Sequence, residues 1–324
     1  MTATFTEPQF RTAVADAVRA PSLHNSQPWR FRLITGAIEV RIDRDRQLPV
    51  ADPHGWAARI ACGAAVFNLR LALAVAGTPA EVRVRPDPAD NDVVARLVPG
   101  PPRPPTPTER SLHAAIARRH SNRAPFAPEP VPATARSRLI EAARGEGAWL
   151  ELVIGTAAVG AVAEIAHSAN RVLHRDPRYL LELTSWTRAT TAADGVPADA
   201  SGSAPEPQDL LPARPFGART RAPGRDFEPE PLVAVLGAAG DTHGDQISAG
   251  QALQSVLLTA TDLGLAVSML SQPIEVPAAR EQLRLALGRF GTPQMVMRIG
   301  YGQPGWPTPR RDVADVIDPP EEAK

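Results

Sequence analysis

The stretch IACGAAVFNLRLALAVAG, residues 60–77, lies over ISAGQALQSVLLTATDLG, residues 247–264, at a constant spacing of 187 without a gap. Ile60/Ile247, Gly63/Gly250, Ala65/Ala252, Leu71/Leu258 and Gly77/Gly264 coincide. Just upstream, DPHG (52–55) and DTHG (241–244) correspond after a two-residue slip. Amphipathic helices share some apolar positions by chance, but the terminal glycines and the upstream HG pairs favour a duplication. Two copies are too few for a solenoid. They suit a fused pseudo-dimer, in which one chain supplies both halves of an interface that homodimers build by symmetry.

The remaining pattern parses around this repeat. Apolar spacing predicts a helix over 9–19, a hairpin from WRFRLI and AIEVRI joined by TG, a helix over 57–76, and strands over 81–84 and 93–98. PGPPRPPTPT, 99–108, reads as a linker, because each proline removes an amide donor. Helices follow over 109–119, 133–143, 157–173 and 250–263, with β runs WLELVIG, PLVAVLG and QMVMRIG between and after them. The expected organisation is a first half at 1–98, the linker, and a second half at 109–324 carrying a lid-like insertion over about 191–231.

Composition narrows the class. Zero formal net charge and a pI near 7.1 create no field that attracts nucleic acid or an anionic membrane. Cys62 is the only cysteine, which excludes an internal disulfide and fits a reducing compartment. The start has no apolar signal core, and no run approaches the roughly 20 apolar residues of a membrane span. These features predict a soluble, cytoplasmic chain.

The two copies differ where they are polar. APSLHNSQPWRF, 20–31, falls opposite ARGEGAWLELV, 143–153, with Trp149 over Trp29. The second copy keeps the tryptophan and the strand but lacks the serines, histidine and amides. Conversely RRHSNRAPF, 118–126, has no counterpart in the first copy. Each half keeps a different part of one polar kit, which predicts a single site per chain.

RHSNRAPF, APSLHNSQPW, GQALQSVLLTATDLGL and RIGYG with its basic tail together resemble the nitroreductase, or FMN-dependent flavin reductase, superfamily. The fused form looks like its Acg branch of dormancy-associated actinobacterial proteins. The resemblance implies an α+β, nitroreductase-like fold with helices around a central, mostly antiparallel sheet. It also implies one FMN at the interface of the halves, reduced by NAD(P)H at N5 in a ping-pong hydride transfer to a nitroaromatic, quinone or similar acceptor. An FMN store with the flavin covered and little turnover is the competing expectation, and an oxygen-using desaturase a third.

On these residues the cofactor site is expected as follows. Arg119, Ser121 and Arg123 alternate along an extended run and can share a face, forming a cradle of forked, charge-assisted donors. By resemblance Arg119 and Ser121 reach the phosphate and ribityl end, and Arg123 the flavin edge. Arg310 and Arg311 fill the family's basic pair at the phosphate. Pro21, Ser22 and Leu23 lie over the flavin from the other half. Asn25 and Gln27 can donate and accept, suiting either the ring edge or the loop's own backbone. Met269, Ser271 and Gln272, with Leu270, fall in the segment beside N5; the family's acidic-glycine pair there reads Ser271–Gln272. The chemistry belongs to the flavin, so no side chain is expected to be catalytic, His24 included.

Other motifs carry less. GYGQPG (300–305) matches a dinucleotide pattern but runs into WPTP and lacks the strand–turn–helix context. His167 and His174 lie two turns apart, too far for a metal pair. DTHGD reads as a helix cap, and Cys62 as core packing. Leu210, Leu211, Phe216 and Phe227 give the insertion apolar anchors, and it is expected to fold over the flavin, with an excursion away from the site as the alternative.

Overall fold

The computed structural model describes residues 4–188, 192–202, 209–214, 216, 231–302 and 305–319. Helix α1 (Glu7–Ala17) starts at a capping box in which Thr6 and Gln9 satisfy each other's amides. Strands β1 (Trp29–Ile34) and β2 (Ala37–Ile42) form the expected hairpin, turned at Gly36 with φ 77°. Helix α2 (Trp56–Val75) is capped by Asp52, whose carboxylate accepts the Ala57 and Ala58 amides at 3.0 and 2.9 Å. Strands β3 (Ala80–Val84) and β4 (Val93–Pro99) complete an antiparallel sheet in the order β1-β2-β4-β3.

The second half opens with α3 (Pro107–Ile116), which packs across the top of α2, and α4 (Ala133–Arg144). Then come β5 (Trp149–Val153), α5 (Thr156–His174), α6 (Pro177–Ser185) and the short parallel pair β6 (Thr187–Arg188) and β7 (Val196–Pro197). Strand β8 (Leu232–Ala238), α7 (His243–Asp262), β9 (Ala266–Leu270), α8 (Gln272–Glu275), α9 (Pro277–Leu287) and β10 (Thr292–Gly300) follow. This sheet has the order β5-β8-β10-β9. The expected single central sheet is therefore two four-stranded antiparallel sheets, because α2 and α7 pack between them. After α10 (Val313–Val316) the chain returns to the first half, where Ile317 bridges to Phe31.

At the α2–α7 seam two glycines let the backbones touch. A Cβ on Gly63 would lie 2.2 Å from the Ile247 carbonyl oxygen, and a Cβ on Gly250 would lie 2.2 Å from that of Ile60. The contacts are reciprocal, as at a two-fold axis. Buried polar pairs staple the seam on either side: Asn68 to Gln254 at 2.7 Å and Arg59 to Gln246 at 2.6 Å.

Two expectations need correction. Helix α7 starts at His243, two turns before 250, because the capping box of Thr242 and Asp245 begins a polar first turn that apolar periodicity does not register. The chain also does contain a helix apolar and long enough to cross a membrane: α2, with mean hydropathy 1.5 over an 18-residue window. It is core, since 89% of that window is buried between its own sheet and α7.

Candidate functional site

The loop between α1 and β1 is conformationally expensive. His24, Asn25 and Gln27 all have positive φ, at 52°, 56° and 53°. Left-handed backbone at non-glycine residues costs on the order of 1 kcal/mol each and persists only where surroundings impose it. Here the side chains impose it. The Gln27 amide N–H donates to Ser22 Oγ at 2.9 Å, and Gln27 Nε2 donates to the Ala193 carbonyl at 2.9 Å. Asn25 Nδ2 donates to the carbonyls of Gly195 and Pro309 at 2.9 and 3.0 Å. Both amides thus act on the chain itself, the second of the two roles open to them, tying the loop to the insertion and to the C-terminal tail.

That tail brings Arg310 against Arg119. Arg119 Nη2 donates to the Arg19 carbonyl at 3.1 Å, and Arg310 Nη2 reaches the same oxygen at 3.4 Å and that of Ala20 at 3.3 Å. Arg310 Nη1 donates to Asn25 Oδ1 at 3.0 Å. The Nε of each arginine is sealed from water without a hydrogen-bond partner. Among the described residues, neither forms an ion pair with a carboxylate. Burial pulls the Arg119 guanidinium down to about 10; burial and the neighbouring Arg119 and Arg19 pull Arg310 down to about 9. Two crowded cations with unused donors are an arrangement that an anion would relieve.

From Arg119 the chain runs extended, bridging through Ser121 to Val267 beside β9, with the Asn122 amide donating to the Val267 carbonyl at 3.0 Å. Four extended residues span at most about 13 Å, and at the far end Arg123 enters a cavity of about 170 Å³. Its walls include Pro21, Ser22 and Leu23 from the strained loop, and Met269, Leu270, Ser271 and Gln272 from the end of β9. Trp56, Ile60 and Leu253 of the two central helices also line it. Trp56 is fixed by its indole N–H, which donates to Gln294 Oε1 at 2.7 Å. The cavity is thus apolar in body, with arginines at its edge.

The insertion contributes the remaining wall. Residues 209–214 and Phe216 line the cavity, which puts Leu210, Leu211 and Phe216 on its wall, while Phe227 lies outside the described residues. His167 holds this segment through the carbonyls of Asp209 and Leu210, at 3.0 and 3.2 Å. Arg123 donates to the Ala200 carbonyl at 2.8 Å and lies over the Phe216 ring, 5.1 Å from its centroid. Sequence reasoning missed Arg214, which reaches His24 Nε2 at 2.5 Å, Ser271 Oγ at 3.0 Å and the carboxylate of Glu275. The one signal for it is its position two residues before the Phe216 anchor. His24 is driven well below the usual imidazole range, by burial first and then by Arg214 and Arg123.

Seven of the expected site residues therefore line the cavity: Pro21, Ser22, Leu23, Arg123, Met269, Ser271 and Gln272. Arg119, Ser121 and Arg310 do not line it; the two arginines meet at the Arg19 and Ala20 carbonyls, next in the chain to Pro21 of its wall, and Asn25 braces Arg310. Arg311 turns elsewhere, with Nη1 3.2 Å from Asp43 Oδ2 and its backbone N–H donated to Gln27 Oε1 at 2.9 Å. Cys62 is buried, and burial pushes its thiol far above the usual range. No cluster of three or more metal-ligating side chains occurs among the described residues.

The Nitroreductase family model matches residues 116–301. Two Mycobacterium tuberculosis proteins are similar along nearly their whole length. One, named as a "Putative NAD(P)H nitroreductase", is 34% identical over 322 residues, covering 96% of this chain and 92% of its own. The other carries the same description with the name acg and is 31% identical over 316 residues, covering 95% and 94%. Among solved structures, the FMN and NADPH-dependent nitroreductase NfnB of a Sphingopyxis strain superposes with a TM-score of 0.42 at 22% identity, over 64% of this chain and 97% of that one. With the family model and the long-range identity in agreement, this chain belongs to the nitroreductase family.

Proposed function

We propose that the chain binds one FMN across its two halves and acts as a nitroreductase-type, NAD(P)H-dependent oxidoreductase on nitroaromatic, quinone or similar small acceptors. The observation that carries this reading is the Arg119–Arg310 pair. Its sealed, unpartnered Nε groups fit a phosphate, and the adjoining apolar cavity fits a flat ring. When bound, FMN supplies two-electron chemistry, accepting a hydride from NAD(P)H and passing the electron pair on.

The chain's own residues bind and orient. Arg119 and Arg310 neutralise the phosphate, Ser121 serves the ribityl chain, and Arg123 donates to the carbonyl edge of the ring. Pro21–Leu23 and Met269–Gln272 approach the ring from different halves. Asn25 and Arg311 brace the loop and tail that carry these groups. A duplicated, single-chain pseudo-dimer with halves at 1–98 and 109–324 accounts for this division. In support, the two sheets share one strand order and the glycine contacts at the seam are reciprocal. A small acceptor is the only partner this reading needs, in a reducing, cytoplasmic setting that suits the lone buried thiol.

A second reading, an FMN store, is favoured by one observation: residues 209–214 and Phe216 form part of the cavity wall. One experiment separates them. FMN titration should saturate at one per chain; two would refute the single complementary site. The loaded protein is then mixed anaerobically with NADPH or NADH. Bleaching of the flavin supports the oxidoreductase, whereas bleaching by dithionite alone supports the store.

A further inference from the structure

We propose a second ligand site, at the position related to the cavity by the two-fold of the α2–α7 seam, where Arg59, Arg44, Arg85 and His243 bind a phosphate group. Its location rests on the duplication proposed above; its chemistry does not depend on the flavin.

The repeat marks the place. Trp56 is the first residue of α2 and His243 the first of α7. Ser271 is the first residue past β9. Arg85 is the first past β3, the strand with the same edge position in the other sheet. Trp56 and Ser271 both line the cavity. Their counterparts, His243 and Arg85, therefore mark where a second cavity would stand across the reciprocal glycines. The chain has put cations there: an imidazole for an indole and a guanidinium for a hydroxyl.

Two more arginines join them. A Cβ on Gly55 would lie 3.0 Å from Arg59 Nη1 and 3.4 Å from Arg44 Nη1, so the two guanidiniums sit side by side over that glycine. Arg44 Nε and Arg85 Nη2 grip one turn, at Asp92 Oδ1 (2.7 Å) and Asn91 Oδ1 (3.1 Å). His243 senses all three arginines. Burial first, then Arg59, Arg85 and Arg44, holds it below the usual imidazole range.

Arg59 shows that the cluster is unsatisfied. The residue is 4% exposed. Its Nε donates at 2.6 Å to Gln246 Oε1, its own counterpart at spacing 187, and its Nη2 to the His54 carbonyl at 2.7 Å. Among the described residues Nη1 donates to nothing, and neither Arg59 nor Arg85 forms an ion pair. The acids close by are spent: Asp52 on the Ala57 and Ala58 amides, Asp241 on Arg280 and Gln246, and Asp92 on Arg44. A buried guanidinium with an unused donor beside further cations is costly until an anion arrives. A phosphate dianion matches the two arginines that lack a carboxylate, and has oxygens left for Arg44 and His243.

The test uses the full chain in chloride buffer, with inorganic phosphate and AMP as probes. Calorimetry reads binding, and NMR follows the His243 ring, identified by its loss in His243→Gln. Saturable binding that survives FMN loading is expected, with the His243 pKa raised because the dianion favours imidazolium. Arg59→Gln and Arg85→Asn should each weaken it at least about 10-fold, as for a lost charge-assisted bond. Asparagine tolerates the φ of 47° at position 85, so Arg85→Asn decides even where Arg59→Gln fails to fold. AMP bound at least as tightly as phosphate identifies a nucleotide as the source, and weaker AMP identifies the free ion. No saturation by about 10 mM, or wild-type affinity in Arg85→Asn, would overturn the site. So would phosphate that FMN displaces while His243 stays unmoved, which belongs to Arg119 and Arg310. A chain that takes up no FMN yet shifts His243 with phosphate would refute the flavin reading and leave this site standing.

Discussion

Replacing Arg119 by methionine separates a structural arginine from one held for a ligand, because the two roles predict opposite signs. The side chain is 5% exposed and faces Arg310 with no ion pair among the described residues. Its descent from 12.5 to about 10 corresponds to about 3 kcal/mol of disfavour for the charged form at 1.36 kcal/mol per unit. Methionine keeps most of the apolar stem and removes the charge. The loss of the Nη2 bond to the Arg19 carbonyl offsets about 1.5 kcal/mol of the gain. The flavin-free protein should therefore be more stable by on the order of 1–2 kcal/mol, a rise of a few degrees in Tm for a chain of this size. FMN affinity should fall in the same variant, by about 2–4 kcal/mol for a lost charge-assisted phosphate contact. Scanning calorimetry without flavin and fluorescence titration with it read the two effects. A lower Tm with unchanged affinity would refute the reasoning and make Arg119 a strut.

Two further outcomes follow from the seam and from the Arg214–His24 contact. Gly250→Ala puts a Cβ 2.2 Å from the Ile60 carbonyl with backbone on both sides; it should destabilise by about 3 kcal/mol, and a denaturation midpoint within error of wild type would contradict the close approach. The contact between Arg214 and His24 should weaken as pH falls below about 6.5, the value of an unperturbed imidazole, because a released histidine binds a proton that the buried one, facing Arg214 and Arg123 and touching Phe216, rejects. The groups around Glu275, the other charged partner of Arg214, are Arg214, Ser271, Asp52 and Tyr179. A His24 ring that titrates near 6.5 in the folded chain, followed by NMR, would count against this linkage.

Much of the framework is legible in the sequence because it rests on periodic burial. The repeat at spacing 187 places both central helices, and Trp29 and Trp149 each open an edge strand. The split polar kit also puts Arg123 and the Pro21–Leu23 stretch around one cavity. What stays hidden is how long-range packing spends polar groups. Asn25 and Gln27 can hydrogen-bond a ligand or the backbone equally well, and only the arrival of residues 193–195 and 309–311 decides for the backbone. Arg310 and Arg311 are adjacent and chemically identical, yet Asp43 captures one and leaves the other beside Arg119. Arg214 sits in a stretch without periodicity, so nothing local distinguishes it from a solvated arginine.

The meeting point at the Arg19 carbonyl also imposes an order on synthesis. One cation there comes from residue 119 and the other from residue 310, and the loop they flank is held in left-handed backbone by contacts to residues 193–195 and 309–311. A nascent chain that has released only its first half carries the loop but none of those restraints. It should relax into ordinary backbone and have no pocket for an anion. Capture of a phosphorylated cofactor is thereby deferred until translation has passed residue 311, so that a ribosome-stalled fragment ending before it would stay cofactor-free.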